Sequence, residues 1–90
     1  MNESKNYELL KEIINQEDPL GLIDPETPES LNEYDPELKE IIKKDILAMD
    51  KEELGEWIYQ VFVSFLNEEL ANGKDKYYLI ANKFLNSLKR

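Results

Sequence analysis

The chain contains no histidine and no cysteine. Without histidine it lacks the commonest general base, the commonest metal ligand and the usual switch near neutral pH. Without cysteine there is no disulfide framework and no thiolate chemistry. Long apolar runs are also missing. The richest stretch, Trp57 to Leu66, is ten residues long and is interrupted by Gln60 and Ser64, too short to cross a bilayer. The first residues, Met-Asn-Glu-Ser-Lys-Asn, are polar and read as no secretory leader, so the expected location is cytoplasmic. Positive charge is scarce against negative: 11 Lys and Arg face 20 Asp and Glu, a net charge of -9. Such a chain repels nucleic acid and anionic lipid and attracts basic partners.

Ninety residues make one domain with room for one core. An apolar fraction of 41% suits a globule and exceeds what a disordered tail carries. The charge is uneven. Met1 to Gly73 holds 6 basic and 19 acidic residues, whereas Lys74 to Arg90 holds 5 basic and 1 acidic. A basic last segment beside an acidic body points to internal charge pairing.

The spacing of apolar residues predicts an all-α, four-helix domain. Helix one is expected at about 5–16, with Tyr7, Leu9, Leu10, Ile13 and Ile14 inward and Ser4 as its N-cap. Pro19 should stop it near Asp18. From Glu17 to Glu37 the chain carries eight acids, no Lys or Arg and all four prolines. This is a long acidic loop rather than a helix. Helix two is expected at about 36–48, opened by Asp35 and Pro36, with Leu38, Ile41, Ile42, Ile46 and Met49 on its apolar face. Helix three, at about 51–71, begins with Asp50 and Glu53 at capping-box spacing. It is apolar nearly all round, which predicts a buried helix at the centre. Asn72-Gly73 is a stop signal. Helix four follows at about 76–88, with Asp75 as its cap and Tyr77, Ile80, Ala81, Phe84, Leu85 and Leu88 inward.

Chemistry is sparse. No nucleophile-base constellation can be assembled, so no enzyme and no cofactor are expected. The loop offers Asp18, Asp24, Glu26, Glu29, Glu33, Asp35 and Glu37 as oxygen ligands, but their spacing fits no EF-hand. Asp18, Asp24 and Asp35 each precede a proline, which turn and capping roles explain without a metal. Lys74, Lys76, Tyr77, Tyr78 and Lys83 have the make-up of a strand-binding track. The negative body outweighs it, so no nucleic acid and no membrane are expected as partners. What is left is protein binding. The loop, with Leu20, Leu22, Ile23, Leu31 and Tyr34, either folds back as a lid or presents an acidic surface. Tyr34 between Glu33 and Asp35 has the make-up of an interface anchor.

At these residues the chain resembles a known family. Asp18-Pro-Leu-Gly-Leu22, then Pro28, then Glu33-Tyr-Asp-Pro-Glu-Leu38 with Ile41 behind it, is similar to the YugE-like family of small helical bacterial proteins of uncharacterised function. Similar signatures also occur in small immunity partners of contact-dependent growth-inhibition toxins. The chain departs from the family pattern at Glu17, where Trp often stands, and at Asn32, where Asp often stands. The resemblance implies a helical fold and a partner-binding role and carries over no catalytic residues. The same signature has a folding explanation: Gly21 permits a tight turn, and Leu22 and Tyr34 can plug the end of the bundle.

The expected function is therefore non-enzymatic protein binding, most concretely an acidic immunity-type inhibitor of a basic toxin. Its contact residues would be Asp18, Leu22, Asp24, Glu33, Tyr34, Asp35 and Glu37. The alternative is a stand-alone regulatory or structural domain of the YugE type, with a homodimer as one form of it.

Overall fold

The computed structural model describes residues 2–24, 26–66 and 73–88. These residues form four α-helices, α1 (Asn2–Glu17), α2 (Asp35–Ile41), α3 (Lys51–Phe65) and α4 (Lys74–Leu88), with short 3-10 turns at Pro28–Asn32 and Ile46–Ala48. No strand occurs among them, and the chain is all-α as expected. No helix among the described residues is long and apolar enough to cross a membrane.

One cluster joins all four helices: Leu10, Ile13 and Ile14 of α1, Leu38 and Ile41 of α2, Leu54, Ile58, Val61 and Phe62 of α3, and Tyr77, Ile80, Ala81 and Phe84 of α4. Tyr34 and Ile46 enter it from the connecting segments. The most extensive helix contact is α3 against α4, and α1 packs on α4 and α2. Burial at the helical spacing of three and four is what holds helices this short together. At the α3–α4 crossing a Cβ on Gly55 would lie 2.5 Å from Tyr78 Cδ1, so only glycine admits the ring there.

Several boundaries differ from the sequence expectation. Helix α1 already begins at Asn2, so Ser4 is not its cap. Tyr34, not Asp35, stands at the N-cap of α2, and no side chain caps that end. Asp50 does cap α3, accepting a hydrogen bond from the Glu53 amide at 2.8 Å. Helix α4 starts at Lys74, which leaves Asp75 in its first turn rather than at its cap. Helix α3 ends at Phe65, with Leu66 out of helical geometry at φ -123° and ψ -106°, so the expected single helix to 71 is cut short; 67–72, Asn72 included, lie outside the described residues. Nor is α3 enclosed on all sides. Leu54, Gly55, Ile58, Val61 and Phe62 are buried and Trp57, Tyr59 and Val63 half-buried, while Gln60, Ser64 and Phe65 are exposed.

The largest departure is in helix two, expected as one unit over 36–48. It stops at Ile41, and the Ile46 amide bonds back to Lys44 O at 2.9 Å across a tight turn at Asp45. The cause is tertiary. Trp57 Nε1 on α3 donates to Ile41 O at 2.9 Å, satisfying a carbonyl that a continued helix would have bonded to its own backbone. Lys44 then lies over the indole, 4.0 Å from the ring centroid.

The expected pairing of the basic last helix with the acidic body is present. Lys74 meets Glu56 at 3.0 Å, and Lys76 and Lys83 both meet Glu17 at the end of α1.

Candidate functional site: the acidic loop

Loop geometry begins at Asp18, the only non-glycine residue with positive φ among those described, at 45°. That left-handed conformation suits Asp better than most residues. It ends α1 and starts a turn closed by the Gly21 amide on Asp18 O at 3.0 Å. The φ of 69° at Gly21 is the reason glycine stands there. The Asp18 carboxylate then gathers three donors. The Leu22 amide reaches Oδ1 at 2.8 Å, the Ile23 amide reaches Oδ2 at 3.2 Å, and Tyr34 Oη donates to Oδ1 at 2.6 Å. Tyr34 Oη also accepts from the Leu20 amide at 3.0 Å. A clasp thus ties the start of the loop to its end.

Asp24 organises the middle. Its carboxylate accepts from the Glu26 amide at 2.9 Å and from Thr27 Oγ1 at 3.0 Å. Buried Ser30 accepts from the Asp24 amide at 2.8 Å and donates to Asp24 O at 3.0 Å. Helix α1 holds the far side: Asn15 Nδ2 donates to Leu31 O at 3.0 Å, and Lys11 donates to Asn32 Oδ1 at 2.8 Å. Lys11 also faces Asp35 at 3.0 Å as an ion pair without hydrogen-bond geometry.

The seven residues singled out from the sequence therefore separate. Tyr34 is wholly buried, with its ring 5.9 Å from that of Phe62. It is a core residue and cannot touch a partner in this structure, which corrects its reading as an exposed anchor. Burial first, and the bond to Asp18 second, push its hydroxyl well above the ordinary tyrosine range. Asp18 is half-buried in the clasp and Asp35 half-buried beside Lys11. Leu22 does not plug the bundle; it is 43% exposed. Asp24 and Glu33 are exposed, with Glu26 and Glu29 between them. Leu31, absent from the expected contact set, is 47% exposed. Ser30 was also missed, because its hydroxyl acts on the Asp24 backbone six residues away, beyond the reach of short-range turn patterns.

Glu37 is the anomaly. It is 8% exposed, and its Oε1 has no hydrogen-bond partner. Burial raises its pKa; its own backbone amide offsets part of this, while the charges of Asp35 and Glu33 add to it. Across the interface the Glu37 charge helps, after burial and Tyr59, to push the Tyr77 hydroxyl up to about 12. A raised carboxyl favours the fold fully below the ordinary carboxyl range, and this contribution is lost as pH rises through the raised value. Glu37→Gln is therefore expected to be about 1–2 kcal/mol more stable than wild type at neutral pH. The gap should close as pH falls below about 4, where the glutamate itself is neutral. Denaturant melts of both proteins across this range check it; a gap independent of pH would contradict it.

Among the described residues no three acidic side chains converge in a way that would hold a metal ion. What the loop offers instead is a fixed backbone edge carrying Asp24, Glu26, Glu29 and Glu33 beside two exposed leucines. Comparisons with protein-family models, curated proteins and solved structures find no match to the chain.

Proposed function

We propose that this chain is a non-enzymatic protein-binding module whose acidic loop receives a basic partner. Its most concrete form, on the resemblance of Asp18–Leu22 and Glu33–Leu38, is an immunity-type inhibitor of a basic toxin acting in the cytoplasm. The observation that carries the reading is the loop itself. It is held from both ends by Asp18, Tyr34, Ser30, Asn15 and Lys11, yet it turns four carboxylates and two leucines to solvent. A backbone already ordered loses little freedom on docking. Exposed like charges steer an oppositely charged partner, and apolar side chains among them supply contact area. The three described lysines of α4 are already paired with the body and leave the loop's charge standing.

Capture from a lysate of the native host, with identification of what is held, tests the reading. A basic protein should bind wild type and fail to bind the Glu26→Lys/Glu29→Lys/Glu33→Lys variant, which should keep wild-type helicity and melting. Its association rate should fall roughly 10- to 100-fold between low and high salt. Capture of nothing above background, or binding indifferent to the three substitutions, would sink the proposal.

A further inference from the structure

The broken second helix leaves something unused by this reading. Where α2 stops and the chain turns, a cleft of about 330 Å³ opens between Asn6 of α1 and the segment Ile42 to Leu47. Ile46 is buried there, but Ile42 and Leu47 are 37% and 51% exposed. Ile42 still makes the helical bond from its amide to Leu38 O at 3.1 Å, and the chain turns away after it, which leaves its side chain on the cleft wall. Lys43 and Lys44 stand at the rim, with Asp45 as the one acid. Lys43 is tied only to Glu40, a solvent-exposed pair at 2.9 Å, and such pairs exchange at little cost.

Apolar walls with ammonium groups at the rim suit an acidic segment that carries exposed leucines. This chain displays one. The loop's Leu22 and Leu31 stand among Asp24, Glu26, Glu29 and Glu33. In its own molecule the loop does not line the cleft: it is held at the Asp18–Tyr34 clasp and along α1 by Asn15 and Lys11. Helix α2 joins the two sites, with Asp35 at the loop end and Ile42 at the cleft end, and its Pro36 and Lys39 are exposed between them.

We infer that the cleft of one copy receives the acidic loop of a second copy, in a dimer with the two α2 helices side by side and antiparallel. A twofold axis across α2 then makes the contact twice and closes the assembly, because each copy offers both a loop and a cleft. The inference needs only these two surfaces of the chain and not the basic partner proposed above. A basic protein on the loop would compete with the dimer. The -9 charge on each copy opposes long-range encounter, while the local contact is attractive, so added salt acts in both directions and is no test.

Charge exchange is the test, read by sedimentation of the purified chain from micromolar to millimolar concentration. Wild type should approach twice its 10.6 kDa mass. The cleft variant Lys43→Glu/Lys44→Glu and the loop variant Glu29→Lys/Glu33→Lys should each stay monomeric. Their equimolar mixture should form a heterodimer, since reversed loop meets reversed cleft and the two native surfaces meet as well. All four side chains are exposed. Because Lys44 also covers Trp57, Leu47→Asp serves as a second cleft variant and should be monomeric with unchanged melting. A wild type that stays monomeric to millimolar concentration, variants that still dimerise, or a mixture that stays monomeric would each overturn the inference. A wild type that stays monomeric leaves capture of a foreign protein untouched, and failed capture leaves the dimer untouched, so the two proposals fail separately.

Discussion

Tyr34→Ala is expected to lose about 3–5 kcal/mol of folding stability, the usual cost of removing a large ring from a packed site. In a domain of this size that corresponds to a fall in Tm of more than about 12 °C, against a total stability of only about 5–15 kcal/mol. The ring is fully buried and begins an aromatic series through Phe62 and Tyr77, with centroids 5.9 and 4.9 Å apart. Two effects are superimposed, and Tyr34→Phe separates them. Phenylalanine keeps the ring and removes the hydroxyl that donates to Asp18 and accepts from Leu20, for a loss of about 1–2 kcal/mol. Asp18→Asn attacks the same contact from the other side. The double variant should lose less than the two single losses together, by about 1 kcal/mol, because both remove one interaction. Strict additivity would mean that hydroxyl and carboxylate are not coupled. For the same reason Tyr34 is a poor probe of partner binding: any binding lost in Tyr34→Ala is confounded by lost fold.

The second large effect is expected at Gly55. Alanine normally improves a helix interior over glycine by about 1 kcal/mol. Here its Cβ would come within 2.5 Å of Cδ1 and 2.9 Å of Cγ of Tyr78. These ring atoms lie near the root of the side chain, so the whole ring must move, and overpacking of this kind costs about 1–3 kcal/mol. A net loss of up to about 2 kcal/mol is predicted for Gly55→Ala in the wild-type chain. In a Tyr78→Ala background the obstacle is gone, and the same substitution should stabilise by up to about 1 kcal/mol. Thermal melts of the four proteins read this reversal of sign. If Gly55→Ala stabilises the wild-type chain, α3 and α4 do not cross as described.

The helices were largely legible because their signals are local. The three-and-four spacing of Leu10 and Ile14, of Leu54, Ile58 and Phe62, and of Tyr77, Ile80 and Phe84 marks faces that are buried. The Asp50–Glu53 spacing marks a real cap. The turn roles of Asp18 and Asp24 before proline were legible for the same reason, since each carboxylate acts within five residues. What was not legible depended on contacts distant in sequence. Ile41, Ile42, Ile46 and Met49 continue a helical pattern, and nothing near them reveals that Trp57 will take the Ile41 carbonyl and end the helix. Flanked by Glu33 and Asp35, Tyr34 has the local pattern of a surface residue; only Asp18, sixteen residues earlier, shows why its hydroxyl can be buried. Leu22 presents the opposite case, an apolar residue left outside although its amide is held by Asp18, while Ile23, held by the same carboxylate, packs against the core.

Both the binding proposal and the loop-in-cleft dimer depend on one structural claim, that the Asp18–Tyr34 clasp holds the acidic loop as an ordered surface. Amide hydrogen exchange at Leu20, Leu22, Ile23 and Asp24 tests it most directly. The account predicts that all four are protected, Leu22 included despite its exposed side chain, because each donates to Tyr34, Asp18 or Ser30. It predicts further that Tyr34→Phe strips protection from Leu20 first while the core of α3 stays protected. Exchange of these four amides at free-chain rates in the wild-type protein would contradict the clasp, and with it the ordered surface on which both proposals rest.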